Sequence, residues 1–221
     1  MNIVATKRNW DIFKEWHLIT KREDLTLENI EKVNPRYIFF PHWSWFIPEE
    51  IYSRYECVVF HMTDLPFGRG GSPLQNLISR GIYNTKISAL KVVKEIDAGP
   101  IYLKRDFSLY GNAEEIYLRA YYVIRDMIQE ICEYKPTPIA QRGIPVVFER
   151  RTPGQSLLPP DNLGDVFDWI RMLDAEGYPK AFIQYGNLRL EFSRASLKNG
   201  KVIADVEISN EQGFDCSCPP R

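Results

Sequence analysis

Two side chains of this sequence, His61 and Asp97, are of the types that catalyse group and proton transfer. His61 ends the short apolar run 58–60, and a glycine-rich stretch that carries Arg69 follows it. Asp97 lies in a second polar segment, KEIDAGP. A histidine beside a carboxylate can stabilise an oxyanion, transfer a proton or activate water. The ordinary alternative is a structural pair, in which the acid only provides the hydrogen bond that a buried histidine needs. The residue types alone do not distinguish the catalytic pair from the structural one.

Three apolar runs of the sequence end in polar or backbone-rich loops. The runs at 36–41, 57–62 and 87–93 precede the loops PHWSWFIP, HMTDLPFGRGG and KEIDAGP. Because ligands of open α/β sheets bind outside the carboxyl ends of the strands, we expect the three loops to meet at one edge. Neither the dinucleotide pattern G-x-G-x-x-G nor the phosphate-binding pattern G-x-x-x-x-G-K-[ST] occurs, so neither of those nucleotide sites is predicted.

The pattern of apolar residues predicts an α/β fold with a mostly parallel, Rossmann-like sheet. NIVA at 2–5 predicts the first strand, and an apolar stripe after Asn112 gives the clearest helix prediction in the chain. Asn112 and Glu115 have the spacing of a capping box at the start of that helix.

The sequence changes character after Arg151, where a proline-containing linker precedes an amphipathic segment, DVFDWIRML. Two hairpin signals follow it, at 186–187 and 199–200, each between β-prone runs. We therefore predict a catalytic core at 1–150 and a small C-terminal subdomain, one helix and an antiparallel β unit, at 151–221.

Composition narrows the class of protein further. The chain has 221 residues, 44% of them hydrophobic, which is enough to bury a core. A net charge of -1 argues against a surface devoted to nucleic acid. The four cysteines, including the C-x-C of Cys216 and Cys218, have neither disulfide nor zinc-site spacing. With no signal peptide or membrane span in the pattern, we expect a cytoplasmic protein without a metal or a membrane partner.

The segment from His61 to Pro100 resembles the 10-formyltetrahydrofolate-dependent formyltransferases. The shared pattern is a strand ending in His, then x-x-Leu-Pro-x-x-Arg-Gly and later Leu/Ile-Asp-x-Gly, present here in HMTDLPFGRGGSPLQN and IDAGPIYLK. The segments RRTPGQS and DVFDWIRMLDAEGYPKAF resemble the C-terminal extension of the sugar N-formyltransferases. HMTDLP, GRGGSPLQN and RMLDAEGYP are most similar to the pseudaminic-acid (flagellin glycosylation) branch.

This resemblance implies a Rossmann-like formyltransferase core and a reaction. The formyl group of N10-formyltetrahydrofolate would pass to the primary amine of a UDP- or dTDP-linked amino sugar, of the UDP-4-amino-4,6-dideoxy type. A ring N–H of His61 would bind the oxyanion, and Asp97 would orient His61 and accept the amine proton. The family usually carries Asn two residues before the histidine, where Val59 stands here. Asn76 or a backbone N–H of the turn 70–71 would have to compensate, or the enzyme is slow or inactive.

The resemblance also assigns binding residues by position. Those expected at the folate are Phe40, Pro41, His42, Trp43, Trp45, Ile47, Arg69, Gly70, Val93, Glu95 and Gly99. Those expected at the acceptor are Asp64, Ser72, Gln75, Asn76, Tyr83, Thr85 and Lys86. Several of them have an ordinary alternative: the loop aromatics would fill the core, the charged side chains would be solvated, and Asp64 would make a turn.

Other functions share the same motif. One is formylation of initiator methionyl-tRNA, against which the near-neutral charge and the small C-terminal unit argue. Another is a non-catalytic folate-binding relic, in which Val59 records lost chemistry, and a minor one is hydrolysis of formyl-folate. We expect no nucleic-acid partner, and the C-terminal hairpins would suit a homodimer interface.

Overall fold

The computed structural model describes residues 2–7, 11–159 and 161–210, and the chain divides into two compact units. The first comprises Met1–Pro73, Tyr83–Leu109 and Ile116–Arg150, and the second Leu74–Ile82, Tyr110–Glu115 and Arg151–Arg221. The second unit therefore includes two short segments from before residue 150. That residues 1–150 fold as a separate domain stays a prediction. The Cys216 and Cys218 pair lies outside the described residues.

The first unit contains a six-stranded sheet and a two-stranded one. The six strands, in the order β2-β1-β3-β4-β6-β7, are β1 (Ile3–Thr6), β2 (His17–Ile19), β3 (Tyr37–His42), β4 (Glu56–His61), β6 (Asn84–Lys91) and β7 (Ile101–Ser108). The pair is β5 (Phe67–Gly70) with β8 (Val146–Phe148). Strands β1 to β4 are mutually parallel, which confirms the predicted α/β fold with a mostly parallel sheet.

Helices connect these strands. They are α1 (Leu27–Val33), α2 (Glu49–Tyr52), α3 (Pro73–Ile78) and α4 (Ala113–Tyr134), with short 3-10 turns at Asp11–Phe13 and Arg22–Asp24. Among the described residues no helix is both long enough and apolar enough to cross a membrane.

The core of the first unit lies on the parallel strands. β3 is buried at its first five positions, as expected for a strand covered on both faces. Ile3, Ile38, Phe40 and Cys57 form one apolar cluster with residues of the connecting helices. Burial raises the pKa of the Cys57 thiol to about 12, so this thiol stays protonated and serves as a small core side chain.

Strand β6 departs from the expected arrangement. It runs antiparallel to β4, with Ser88 opposite His61 and Lys91 opposite Val58. The expected direction of the third strand is therefore wrong, because β6 ends beside the amino-terminal half of β4 and not at the carboxyl edge of the parallel strands. The connection from β4 to β6 contains β5 and α3. It is not a single helical crossover, so the rule for parallel strands does not apply.

The second unit contains α5 (Leu163–Leu173), a 3-10 turn at Pro153–Ser156 and a three-stranded antiparallel sheet of β9 (Ala181–Tyr185), β10 (Leu188–Lys198) and β11 (Lys201–Asn210). Both predicted hairpins are present. The Asn162 side chain caps α5 by accepting a hydrogen bond from the Asp165 N–H. Within α5, Asp168 and Arg171 form a buried ion pair.

The predicted capping box at the start of α4 gives a stability prediction. The Asn112 side chain accepts from the Glu115 N–H, and the Glu115 carboxylate accepts from the Asn112 N–H, each at 2.9 Å. Asn112→Ala removes a bond to an N–H that the helix cannot satisfy, a loss of about 1 kcal/mol. We expect thermal denaturation to give a Tm about 2–4 °C lower. Asn112→Ser, which can still cap, should keep the Tm of the unmodified protein, and an equal fall in both variants would contradict this explanation.

Candidate functional site

Strand β4 ends at His61, a residue that is 7% exposed. Its Nε2 atom lies 2.6 Å from the carbonyl oxygen of Gly68. Because a carbonyl oxygen only accepts, Nε2 carries a proton in this geometry. The Thr63 hydroxyl donates to the same oxygen at 3.3 Å, and the Ser88 hydroxyl donates to the Thr63 carbonyl at 2.7 Å. The histidine is therefore held by the loop that follows it and by the neighbouring strand.

The second predicted residue, Asp97, lies beside that ring. Its Oδ2 atom is 3.5 Å from His61 Nδ1 and accepts a hydrogen bond from the Gly70 N–H at 2.9 Å. Asp97 has a φ of 52°, a left-handed conformation that side chains other than glycine seldom adopt. The structure thus brings His61 and Asp97 together, although β6 runs opposite to the direction on which the expectation rested.

A third residue of the site, Gln141, was missed by the sequence analysis. Its Oε1 atom accepts from Arg69 Nε at 3.1 Å and from Arg69 Nη2 at 2.9 Å. Its Nε2 atom donates to the carbonyl oxygens of Asp97 at 2.7 Å and Gly99 at 2.9 Å. An isolated glutamine in an irregular segment, 44 residues from Asp97, carries no signal in a single sequence.

The glycines of the two site loops approach other parts of the chain. A Cβ atom on Gly99 would lie 1.7 Å from the Lys91 carbonyl oxygen. Only glycine therefore fits at position 99 of this turn, two residues after Asp97. Gly70 has a φ of 102°, and a Cβ there would lie 2.5 Å from the Phe148 carbonyl oxygen. The glycine-rich stretch therefore allows β5 to lie against β8.

The expected folate loop after β3 is partly core and partly exposed. Phe40 is 1% exposed and Pro41 is also buried, the positions of core residues rather than of pocket walls. The rings of Trp43 and Trp45 pack edge to face at 4.8 Å, and Trp43 Nε1 is buried with no hydrogen-bond partner among the described residues. His42 contacts the ring of Tyr117, and Ile47 packs partly buried against the core cluster.

Exposed apolar side chains are found on both loops expected at the folate. Phe46, which the sequence analysis omitted, is 81% exposed, Ile96 is 54% exposed and Val93 is 37% exposed. The Glu95 carboxylate lies 3.8 Å from Arg69 Nη1. The guanidinium of Arg69, which we expected at the folate, therefore contacts Glu95 and Gln141 of the protein.

The residues expected at the acceptor are mostly engaged within the protein. The Asp64 carboxylate accepts from Lys104 Nζ at 2.5 Å. Lys86 Nζ donates to Asp106 at 2.5 Å, and this hydrogen bond raises the pKa of Lys86. Thr85 pairs with Phe107 in the sheet, and the Tyr83 carbonyl oxygen accepts a hydrogen bond from the Leu109 N–H. Ser72 has a left-handed backbone conformation, with a φ of 48°. In the second unit, the Gln75 side chain donates a hydrogen bond to the Met172 carbonyl oxygen. Their role at an acceptor stays a prediction.

The position of the family's asparagine is apolar in structure as well as in sequence. Val59 pairs with Phe40 and Leu90 and packs against the core cluster. Of the proposed substitutes, the Gly70 N–H donates to Asp97 and the Gly71 N–H donates to the Phe148 carbonyl oxygen. Asn76, in the second unit, accepts from Arg80. Both backbone N–H groups are therefore committed within the protein.

Comparison with known proteins identifies the relatives of the chain. Residues 153–209 match the model of the methionyl-tRNA formyltransferase C-terminal domain. The solved methionyl-tRNA formyltransferase from Clostridium thermocellum is 56% identical with a TM-score of 0.92, over 95% of this chain and 98% of that one. The methionyl-tRNA formyltransferase of Sulfurihydrogenibium sp. is 31% identical over 116 residues, which are 52% of this chain. The match spans only 37% of the length of that curated relative.

The sugar branch, in contrast, is a distant neighbour. The formyltransferase PseJ from Anoxybacillus kamchatkensis, solved with UDP-4,6-dideoxy-4-formamido-L-AltNAc and tetrahydrofolate, is 16% identical with a TM-score of 0.54. The alignment spans 67% of this chain and 86% of the PseJ chain. At so low an identity, the similarity shows only a shared fold.

These comparisons overturn two expectations. The sugar acceptor is wrong, and with it the pseudaminic-acid and flagellin-glycosylation assignment, because the segment taken for a sugar-enzyme extension matches the methionyl-tRNA formyltransferase C-terminal domain. The prediction of no nucleic-acid partner is wrong as well, because the relatives just described are named methionyl-tRNA formyltransferases. It rested on the small C-terminal unit and on a whole-chain charge, which says nothing about a local surface. With 56% identity across 98% of the Clostridium thermocellum protein, the chain belongs to the formyltransferase family.

Proposed function

We propose that this protein transfers the formyl group of N10-formyltetrahydrofolate to the amino group of methionyl-tRNA. One observation carries the proposal: the 56% identity, over nearly the whole of both chains, to a protein named methionyl-tRNA formyltransferase. The juxtaposition of His61 and Asp97 supports it, because a histidine 3.5 Å from a carboxylate suits acyl transfer to an amine. The match at residues 153–209 to the C-terminal domain of the same enzymes is further support.

The residues of the two site loops fit a folate. A pterin is a flat heteroaromatic ring with hydrogen-bonding edges, and such rings bind between apolar side chains with a few polar groups. Phe46, Val93 and Ile96 offer exposed apolar surface, and Trp43 offers a buried N–H without a partner among the described residues. We therefore assign the donor to the segments 42–47 and 93–99. When bound, N10-formyltetrahydrofolate supplies an electrophilic carbon bonded to a nitrogen that can leave.

Asp97 is the proton acceptor in the proposed reaction. As the methionyl nitrogen forms its bond to the formyl carbon, it becomes cationic and must lose a proton. The Asp97 carboxylate can take that proton while the Gly70 N–H holds its Oδ2 atom. When the bond between the formyl carbon and N10 of the folate breaks, the same proton passes to N10, so that the folate leaves as a neutral amine. The side chain of Asp97 is 15% exposed, so bulk water competes little for it.

His61 is the proposed oxyanion donor. Its Nε2–H donates to the Gly68 carbonyl oxygen at 2.6 Å, so this donor has to exchange that oxygen for the formyl oxygen. The exchange is favourable as negative charge develops, because hydrogen bonds to ionised acceptors are roughly twice as strong as those to neutral ones. Since Val59 cannot donate, the side chain of His61 carries this role without the family's asparagine.

Removing either member of the pair should abolish most transfer while leaving folate bound. His61→Ala and Asp97→Asn should each lower kcat by about 10²–10³-fold, the usual cost of one such catalytic group. Matched controls are His17→Ala and Asp126→Asn, because both residues are exposed on the first unit. The measurement is formyl transfer together with folate binding by fluorescence titration. Full activity in His61→Ala would rule out the assigned role.

The acceptor is tested by offering methionyl-tRNA and UDP- or dTDP-linked amino sugars in parallel with the formyl donor. We expect mass spectrometry to find one added formyl group on the methionyl moiety. We also expect the affinity for tRNA to fall as salt rises, because phosphate contacts release counterions. Transfer to a sugar alone would contradict the proposal. Folate binding without transfer to any acceptor would contradict it too and would indicate a non-catalytic relic.

A further inference from the structure

We propose that Gln141 is a positioning residue, which holds Asp97 against His61 by fixing the backbone of the segment 92–99. This inference rests on the proposed function for its kinetic consequence, but the contacts that carry it belong to the protein alone. No sequence motif pointed to Gln141, and it touches neither reacting side chain directly. Its amide instead bonds the main chain on either side of Ala98, at Asp97 and Gly99.

The contacts form a closed ring of four residues. Arg69 donates from Nε and Nη2 to Gln141 Oε1, and Gln141 Nε2 donates to the carbonyl oxygen of Asp97. The Asp97 carboxylate then accepts from the N–H of Gly70, the residue next to Arg69. Each bond in the ring measures between 2.7 and 3.1 Å. The ring therefore ties the loop after β6 to β5, the strand whose Gly68 carbonyl oxygen lies against His61.

The segment that carries Asp97 needs such support because little else packs on it. Residues 93–96 are all exposed, with Glu95 and Ile96 among them. Asp97 itself has a φ of 52°, which is unfavourable for a residue with a Cβ atom and persists only when surrounding contacts enforce it. The Gln141 amide donates one hydrogen bond to the carbonyl oxygen of Asp97 itself and one to that of Gly99, two residues further on. Gln141 therefore supplies the contacts that hold the left-handed turn.

Only a primary amide at this position satisfies both sides of the ring. Glutamate would keep an acceptor for Arg69 but would lose both donors and place an anion against two carbonyl oxygens. Leucine would remove all of these bonds at similar size. The ring also explains why Arg69, expected at the folate, is 16% exposed at its side chain and turned to Gln141 and Glu95. Arg69 is part of the support of the site.

The test is a double-mutant cycle between Gln141→Leu and Asp97→Asn, with Gln141→Glu as a second variant. A catalytic group displaced by about 1 Å commonly loses on the order of 10²-fold in rate. We expect both Gln141 variants to lower kcat by about that factor, with KM for methionyl-tRNA changed less than about twofold. Combined with Asp97→Asn, Gln141→Leu should cause no further loss, because both changes remove the same group. Multiplicative losses would overturn the inference.

A second readout does not depend on turnover. The Gly70 N–H that donates to Asp97 should exchange its hydrogen faster in Gln141→Leu, because the carboxylate no longer stays in place. Arg142→Ala is the matched control, since Arg142 is the exposed neighbour of Gln141. Unchanged Gly70 protection in a folded Gln141→Leu protein would refute the positioning role. If no acceptor is formylated by the unmodified protein, the proposed function fails while this measurement still decides the role of Gln141.

Discussion

The site depends on a single carboxylate oxygen, Oδ2 of Asp97, which lies between the His61 ring and the Gly70 N–H. The carboxylate can orient the histidine only if its own backbone is fixed, and that backbone is in a conformation that costs free energy, on the order of 1–3 kcal/mol. The compact turn at Gly99 and the amide of Gln141 both serve this requirement. Much of the local structure is therefore a support for one negative charge.

The near-neutral net charge of the chain argued against a tRNA acceptor, and that inference was wrong. Net charge sums over every surface, whereas recognition of a phosphate backbone needs only a few cations in one place. In addition, the motifs that placed the chain in the sugar branch come from the segment around His61 and from the end of α5 with the residues that follow it. The first overlaps the segment from His61 to Pro100 that carries the likeness to the family as a whole, and the second lies in the region that matches the methionyl-tRNA formyltransferase C-terminal domain. Neither reports which amine is used.

Regular elements were predictable because their signals are local. The capping box at Asn112 and the two hairpin turns depend on residues within a few positions, and all of them are present. The pair His61 and Asp97 was also predicted, but for a partly wrong reason, since β6 runs antiparallel. What the sequence could not show are contacts between short segments far apart in the chain, such as Gln141 with Arg69 and β5 with β8. Such contacts have no periodicity, so a single sequence carries no trace of them.

In the proposed reaction, His61 exchanges its hydrogen bond from Gly68 to the formyl oxygen as Asp97 receives a proton. The most direct measurement is a crystal structure of the protein with a stable 10-formyl analogue of tetrahydrofolate. We expect the formyl oxygen to lie within about 3 Å of His61 Nε2, with the hydrogen bond to the Gly68 carbonyl oxygen broken. A bound analogue whose formyl group lies away from His61, with Nε2 still on Gly68, would contradict it.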